Sequence, residues 1–225
     1  MKCSWHAHSV VMIETINDYT LIIDPFINGN TACDLEADKV KVDYVLLTHA
    51  HNDHVGEAVE IAKNNNATII AMVELADYLS QFDVETVGMN VGGTAFFPFG
   101  SVKMTPAWHS SSYNEEDGTN VPLGLAGGFV IDDGASKVYH AGDTALFSDM
   151  SLIGPVDAAF IPIGDHYTMG IGDAVKAAEL LKPQLVIPIH YNTFPIIEQN
   201  PYDFINRLDD DNGKVPEIGE IFDVN

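Results

Sequence analysis

Apolar and polar positions fall in short runs along this chain, and the runs predict small strands interleaved with a few helices. Val10–Thr15 and Thr20–Asp24, rich in β-branched and apolar residues, flank an Asn17-Asp18 turn and read as a hairpin. Tyr44–Thr48 is almost wholly apolar, the pattern of a strand buried on both faces. A helical period follows from Val55 to about Lys63, with Val55, Val59 and Ala62 on one face. Ala67–Met72 reads as a strand and Glu74–Gln81 as a short helix. Thr94–Phe97 and Val102–Ala107 form a pair turned at Phe99-Gly100. Leu125–Ile131 and Lys137–His140 bracket Asp132-Asp133-Gly134, a strong hairpin turn. Ala158–Ile163 and Leu185–Ile189 are apolar strands separated by an amphipathic helix near Gly172–Leu181, which Pro183 closes. Pro201–Leu208 is expected to be a last helix, with Pro201 suited to its first turn. Such an order suits two sheets packed face to face with helices outside.

The chain has 225 residues and 46% hydrophobic content, enough to bury a sizeable core, and residues 1–225 are expected to form one domain. Its start lacks the apolar core of a secretory signal and no apolar run is long enough to cross a bilayer, so a cytoplasmic, membrane-free protein is expected. Cys3 and Cys33 have no CxxC spacing and are expected to be reduced thiols. With 33 acidic residues against 10 basic ones, the net charge of −23 repels polyanions. Arg207 is the sole arginine, so the guanidinium fork that commonly grips phosphate is almost absent. Nucleic acid is therefore not an expected partner; a small molecule is. Adaptation to a saline cytoplasm or drift in surface composition would produce the same acidity, and oligomeric state leaves no mark in the sequence.

The chemistry gathers at strand ends. His49-Ala50-His51-Asn52-Asp53-His54 puts three imidazoles and a carboxylate within six residues, between a buried strand and a helix. Residues two apart in extended chain face the same side, so His49 and His51 suit one ion, while Asp53 and His54, turning into the helix, reach another. Imidazole and carboxylate are ligands for zinc and its transition-metal neighbours. A polar surface loop is the bland alternative, but no turn needs three histidines.

At these residues the sequence resembles the metallo-β-lactamase superfamily, whose HxHxDH motif is matched by His49, His51, Asp53 and His54. The resemblance extends over nearly the whole chain and implies a four-layer αββα sandwich of the α/β (α+β) class. It further implies a third histidine after a later strand, matched by His109, a metal-bridging carboxylate after a hairpin strand, matched by Asp143, and a closing histidine after a late strand, matched by His190. Within the superfamily the chain is most similar to small metal-dependent hydrolases related to ascorbate-6-phosphate lactonase, through Trp5-His6-Ala7-His8-Ser9 and Leu21-Ile22-Ile23-Asp24-Pro25; members usually carry glycine where Ala7 stands. The expectation is a dinuclear site: His49, His51 and His109 on one divalent ion, Asp53, His54 and His190 on the other, Asp143 between them. Zinc is the default, with manganese, nickel and iron as alternatives. Two ions about 3.5–4 Å apart would generate a hydroxide at neutral pH, and Asp53 is the candidate to steer a proton.

Weaker candidates surround this set. His6 and His8 are two apart and would share a strand face; His8 is taken as a pocket residue that contacts substrate, His6 less so. His166, after the strand Ala158–Ile163, is a second substrate-binding candidate, against the ordinary alternative of a loop histidine. His140 reads as a partly buried imidazole or a residue that supports a ligand from behind, and Asp24 as a carboxylate that orients a ligating histidine or begins the turn at Pro25. The expected activity is hydrolysis of a small carboxyl ester or lactone, phosphorylated or not. Alternatives are a phosphodiesterase of small cyclic nucleotides, a di-iron oxidoreductase, which in this superfamily usually carries an attached flavin domain, and a binding protein, which would be expected to have lost ligands.

Overall fold

The structure, a computed structural model, describes residues 1–209 and 211–225. In chain order, β1 (Lys2–Trp5), β2 (Val11–Glu14), β3 (Thr20–Ile23) and β4 (Tyr44–Leu46) lead to the helical turn α1 (Asn52–Val55) and the helix α2 (Ala58–Asn65). Next come β5 (Thr68–Met72), α3 (Val73–Ser80), β6 (Thr86–Met89), β7 (Thr94–Phe97) and β8 (Gly100–Pro106). The two-stranded ribbon β9 (Ser112–Asn114) and β10 (Asn120–Pro122) precedes β11 (Gly127–Asp132) and β12 (Lys137–His140). The chain finishes through β13 (Ala158–Pro162), α4 (Ile171–Leu181), β14 (Leu185–Ile189), α5 (Pro201–Ile205) and β15 (Ile221–Asp223).

The strands pair into a sheet of order β15-β1-β2-β3-β4-β5-β6 and another of order β14-β13-β12-β11-β8-β7. Helices α2 and α3 pack on β4, β5 and β6 of the first sheet, and α4 and α5 on β13 and β14 of the second. This is the four-layer αββα sandwich, with one continuous apolar core that includes Val11, Ile13, Leu46, Phe129, Tyr139 and Ile187. At one end Phe99 packs against Tyr44 and Tyr19 across the sheets and stacks on Phe97, with ring centroids 4.8, 6.3 and 5.2 Å away.

Pairing direction decides where the chemistry collects. β1 runs antiparallel to β2 and β2 to β3, so β1 is parallel to β3, which is parallel to β4. In the other sheet β8 and β12 both oppose β11, and β12, β13 and β14 are parallel. The C-terminal ends of β1, β3, β4, β8, β12, β13 and β14 therefore share one end of the sandwich, opposite the aromatic cluster. Crevices at the carboxyl ends of strands are where α/β folds bind ligands.

Most predicted elements are present with shifted ends. The helix expected from Val55 is two pieces, because Gly56 takes φ +43° against the Pro25 backbone and breaks the helical path. The hairpin at residues 94–106 turns at Pro98-Phe99 rather than Phe99-Gly100. The strands β1, β6, β9, β10 and β15 are not among the predicted elements; they are short, and all but β1 lie at sheet or ribbon edges. Both cysteines are free thiols, and burial pushes Cys3 up to about 12, which keeps it protonated and inert.

His6 and His8 do not share a strand face. β1 ends at Trp5, and Ala7 and His8 take φ +68° and +51°, so the two rings diverge. His6 Nε2 lies 2.8 Å from Ser4 Oγ and its Nδ1 2.6 Å from Asp34 Oδ1, tying the segment after β3 to β1. His6→Ala should cost about 1–3 kcal/mol in a denaturant titration, the usual consequence of stranding such partners, and leave metal content unchanged. Metal loss in that variant would place His6 in the site instead.

Candidate metal centre

Seven strand ends deliver the site residues. After β4 the chain bends at Thr48 and His49, reaches His51 in extended conformation and turns into α1, which carries Asp53 and His54. His49 Nε2 lies 2.9 Å from His51 Nδ1, and His109 Nε2, arriving from β8, lies 3.3 Å from that same Nδ1. One ligand atom from each of these three residues falls within 4.8 Å of the others. A second group with the same spacing contains Asp53, His54, His190 and also His8.

Asp143 stands between the groups. Its Oδ2 is 3.4 Å from His109 Nε2 and 4.0 Å from His49 Nε2 on one side, and 3.4 Å from His54 Nε2 and 3.1 Å from His190 Nε2 on the other. The turn that carries it needs Gly142, which takes φ +61° and whose missing Cβ would fall 2.7 Å from Gly127 O and 2.8 Å from Thr48 Cβ. His140 anchors this turn: its Nδ1 accepts from Gly142 N–H at 3.1 Å, so the proton sits on Nε2, which donates to Ser9 C=O at 3.0 Å. The expectation of a buried, supporting imidazole for His140 fits this geometry.

Behind the ligand groups the rings are oriented by hydrogen bonds. Asp24 is fully buried; its carboxylate accepts from Thr48 N–H at 2.8 Å and Thr48 Oγ1–H at 2.7 Å, and its Oδ2 lies 2.8 Å from His54 Nδ1. Such a contact fixes the His54 tautomer with Nε2 free for a ligand. Thr48 Oγ1 is also 3.0 Å from His49 Nδ1, and Ser110 Oγ 3.2 Å from His51 Nε2. Thr48 and Ser110 were not singled out in the sequence, where only their adjacency to His49 and His109 could have marked them. Asp24, His8 and His190 all adopt positive φ, at +48°, +51° and +54°. Backbone held in that region by several residues of one site is a recurring mark of function.

Electrostatics agree with an N/O metal site. Burial pushes His49, His51 and His109 down, leaving them as the neutral imidazoles that bind metal. Burial also pushes His8 down to about 4, with His190 adding to the effect. Burial opposes charge on His54 as well, yet the Asp143 and Asp24 carboxylates outweigh it and raise its pKa well above the ordinary value. Against the same burial penalty, His190 and His54 hold Asp143 well below the usual carboxylate range. The fit to cations is direct: at the site the buried atoms His8 Nε2, His54 Nε2 and Asp143 Oδ1 have no hydrogen-bond partner among the described residues. Leaving such atoms unsatisfied costs about 1–3 kcal/mol each, a cost that ligation removes for the atoms it engages.

The two expected substrate contacts, His8 and His166, lie off the wall of the cavity at this site. A cavity of about 460 Å³ opens over the groups, lined by His51, Asp53, His109, Ser110, Asp143, Tyr167, His190, Phe194 and Ile196. His8 is absent from this wall because it is fully buried, enclosed by Phe26 and Phe194 edges and by His54 and His190. His166 is absent because its φ of +48° turns it out to solvent; its ring packs edge-on against Tyr167, and Tyr167 is the residue that reaches the cavity. Among the described residues no lysine or arginine lines the cavity. None of the helices among the described residues is long and apolar enough to cross a membrane.

Comparison with known proteins agrees with this architecture. Residues 19–191 match the family described as beta-lactamase superfamily domain. A UPF0173 metal-dependent hydrolase of Geobacillus thermodenitrificans is 55% identical over 98% of both chains, and one of Bacillus thuringiensis 54% identical over the same shares. The solved structure of Igni18, a metallo hydrolase from the hyperthermophilic archaeon Ignicoccus hospitalis, superposes with a TM-score of 0.88 at 35% identity, covering 100% of this chain and 99% of that one. Sequence, topology and near-complete coverage converge on one assignment: the chain belongs to the metallo-β-lactamase superfamily, among the UPF0173 metal-dependent hydrolases.

Proposed function

We propose that His49, His51 and His109 hold one divalent ion, that Asp53, His54 and His190 hold a second, and that the two share Asp143. With this pair the chain hydrolyses a small carboxyl ester or lactone, neutral or singly anionic. Bound there, the ions supply a hydroxide near neutral pH and a Lewis acid for the carbonyl oxygen.

The chain's own residues do the rest. Asp53 lines the cavity, and despite its burial the His8 and His54 imidazoles keep its carboxyl below the usual range, so it stays ionised. It is the group placed to accept a proton at a carboxylate oxygen and return it to the leaving alkoxide. Ser110 and Thr48 hold the His51 and His49 rings in orientation. Tyr167, Phe194 and Ile196 form an apolar wall that takes up the acyl or ring carbons and keeps water from them.

The observation that carries this reading is the composition of the cavity wall: apolar on one side, metal-ligating on the other, with no cationic side chain to clamp a phosphate. His8 and His166, which would have received a phosphate, lie beneath and outside the cavity, so an unphosphorylated substrate fits better than a phosphorylated one. The test compares kcat/KM for lactones, carboxyl esters, phosphomonoesters, small cyclic nucleotides and short RNA, with zinc, manganese, nickel or iron loaded in turn. Lactones or esters should lead by about tenfold or more, the scale on which an unmatched polar group is rejected. Efficient RNA cleavage that weakens steeply with salt would overturn the reading and make the protein a nuclease.

A further inference from the structure

His8 is unlike the other histidines that the two-ion reading leaves unassigned. His6 is occupied by Ser4 and Asp34, and His140 by Gly142 and Ser9. His8 has one occupied nitrogen: Nδ1 lies 2.9 Å from Thr193 Oγ1, while Nε2 is fully buried and has no hydrogen-bond partner. That Nε2 sits 3.3 Å from Asp53 Oδ2, off the line of a hydrogen bond, and a ring nitrogen of His8 lies within 4.8 Å of one ligand atom from each of Asp53, His54 and His190. His54 Nε2 is likewise buried and without a hydrogen-bond partner. The backbone fixes the ring in place, since His8 C=O accepts from His190 N–H and from Trp5 Nε1–H, each at 2.9 Å. Thr193 Oγ1 can accept the Nδ1 proton, which leaves the Nε2 lone pair for a cation.

We propose that His8 is a direct ligand of the ion held by Asp53, His54 and His190. The inference rests on the two-ion reading and deepens it. The second ion then has four side chains of its own plus the shared Asp143, five protein donors in all, whereas the first has three histidines plus Asp143. The two positions are consequently unequal. Five N/O donors with one place left suit manganese, iron, cobalt or nickel, which accept five or six ligands, while the first position suits zinc, whose usual protein sites are four-coordinate.

The test uses the full chain loaded with Co²⁺, whose visible bands strengthen as its coordination number falls. Wild type should take up two ions, and His8→Ala should bind the second about a hundredfold more weakly, at or above the upper end of the range for loss of a supporting partner. Once saturated, His8→Ala should absorb more strongly than wild type, because one ligand has gone. An unchanged saturated spectrum would overturn the proposal and leave His8 as a mere neighbour of Asp53. Fewer than two ions in wild type would instead defeat the two-ion reading beneath it. Should His8→Ala fail to fold, Thr193→Val keeps the ring and removes its anchor; it should weaken the second ion about tenfold with a wild-type saturated spectrum. Unaltered affinity in that variant would also count against the proposal.

Discussion

Asp143→Ala should lower kcat/KM at least a hundredfold to a thousandfold, whereas His166→Ala should change it by less than about threefold. Asp143 Oδ2 lies within 4.0 Å of one imidazole nitrogen from each of His49, His54, His109 and His190, so on the two-ion reading its removal takes a ligand from both metal positions and lets their separation drift. Nucleophile and electrophile are then disturbed together, and a misplacement near 1 Å already costs about a hundredfold. His166 points to solvent and touches the cavity only through Tyr167. Metal analysis of both variants belongs with the kinetics: Asp143→Ala should retain fewer ions per chain and His166→Ala the full complement. Equal metal content with the opposite order of activities would show that Asp143 is not the shared ligand.

Asp24→Asn should be the most damaging change outside the ligand groups. The carboxylate is fully buried among three groups, Thr48 N–H, Thr48 Oγ1–H and the His54 ring, and it supports the raised His54 pKa. An amide of the same shape keeps one acceptor but turns an N–H₂ toward donors, stranding at least one of them at about 1–3 kcal/mol. It also removes the charge that fixes the His54 tautomer, and loss of such a partner typically weakens metal binding tenfold to a hundredfold. The expected result is a lower denaturation midpoint together with weaker retention of the second ion, and a smaller effect on the first through Thr48 and His49. Equal loss of both ions would mean that Asp24 acts on the fold as a whole and not through His54.

Residues that announce themselves by chemical type were the legible part of the site. His49, His51, Asp53 and His54 are crowded within six positions, and His109, Asp143 and His190 each close an apolar strand, so type and context together marked them. The strand-end argument misled at His166, because position at the correct edge does not settle which way a side chain faces; a positive φ turned His166 away and left Tyr167 at the cavity. The same cause hid the placement of His8. Spacing of two reads as one face only if the strand continues, and the chain instead turns at Ala7 and His8. Thr48, Ser110 and Thr193 gave no sign, since threonine and serine are common everywhere and their importance lies in what they touch. Asp24 showed only by its place after β3. Among the strands, β15 was illegible because its pairing with β1 joins Lys2 to Asp223, a partnership no local pattern encodes.

The two groups of candidate ligands draw on both layers of the sandwich. His8, His49, His51, Asp53 and His54 follow strands of the first sheet, and His109, Asp143 and His190 follow strands of the second. At the far end the sheets are joined by the rings of Tyr19, Tyr44, Phe97 and Phe99. The molecule thus resembles a clothes-peg, with an apolar spring at one end and charged jaws at the other. On the two-ion reading cations would clasp the jaws, beside cross-sheet hydrogen bonds such as Gly127 N–H to Thr48 C=O and His190 N–H to His8 C=O. Removing the ions is then expected to loosen that end, read as faster proteolysis of the metal-free chain than of the loaded one.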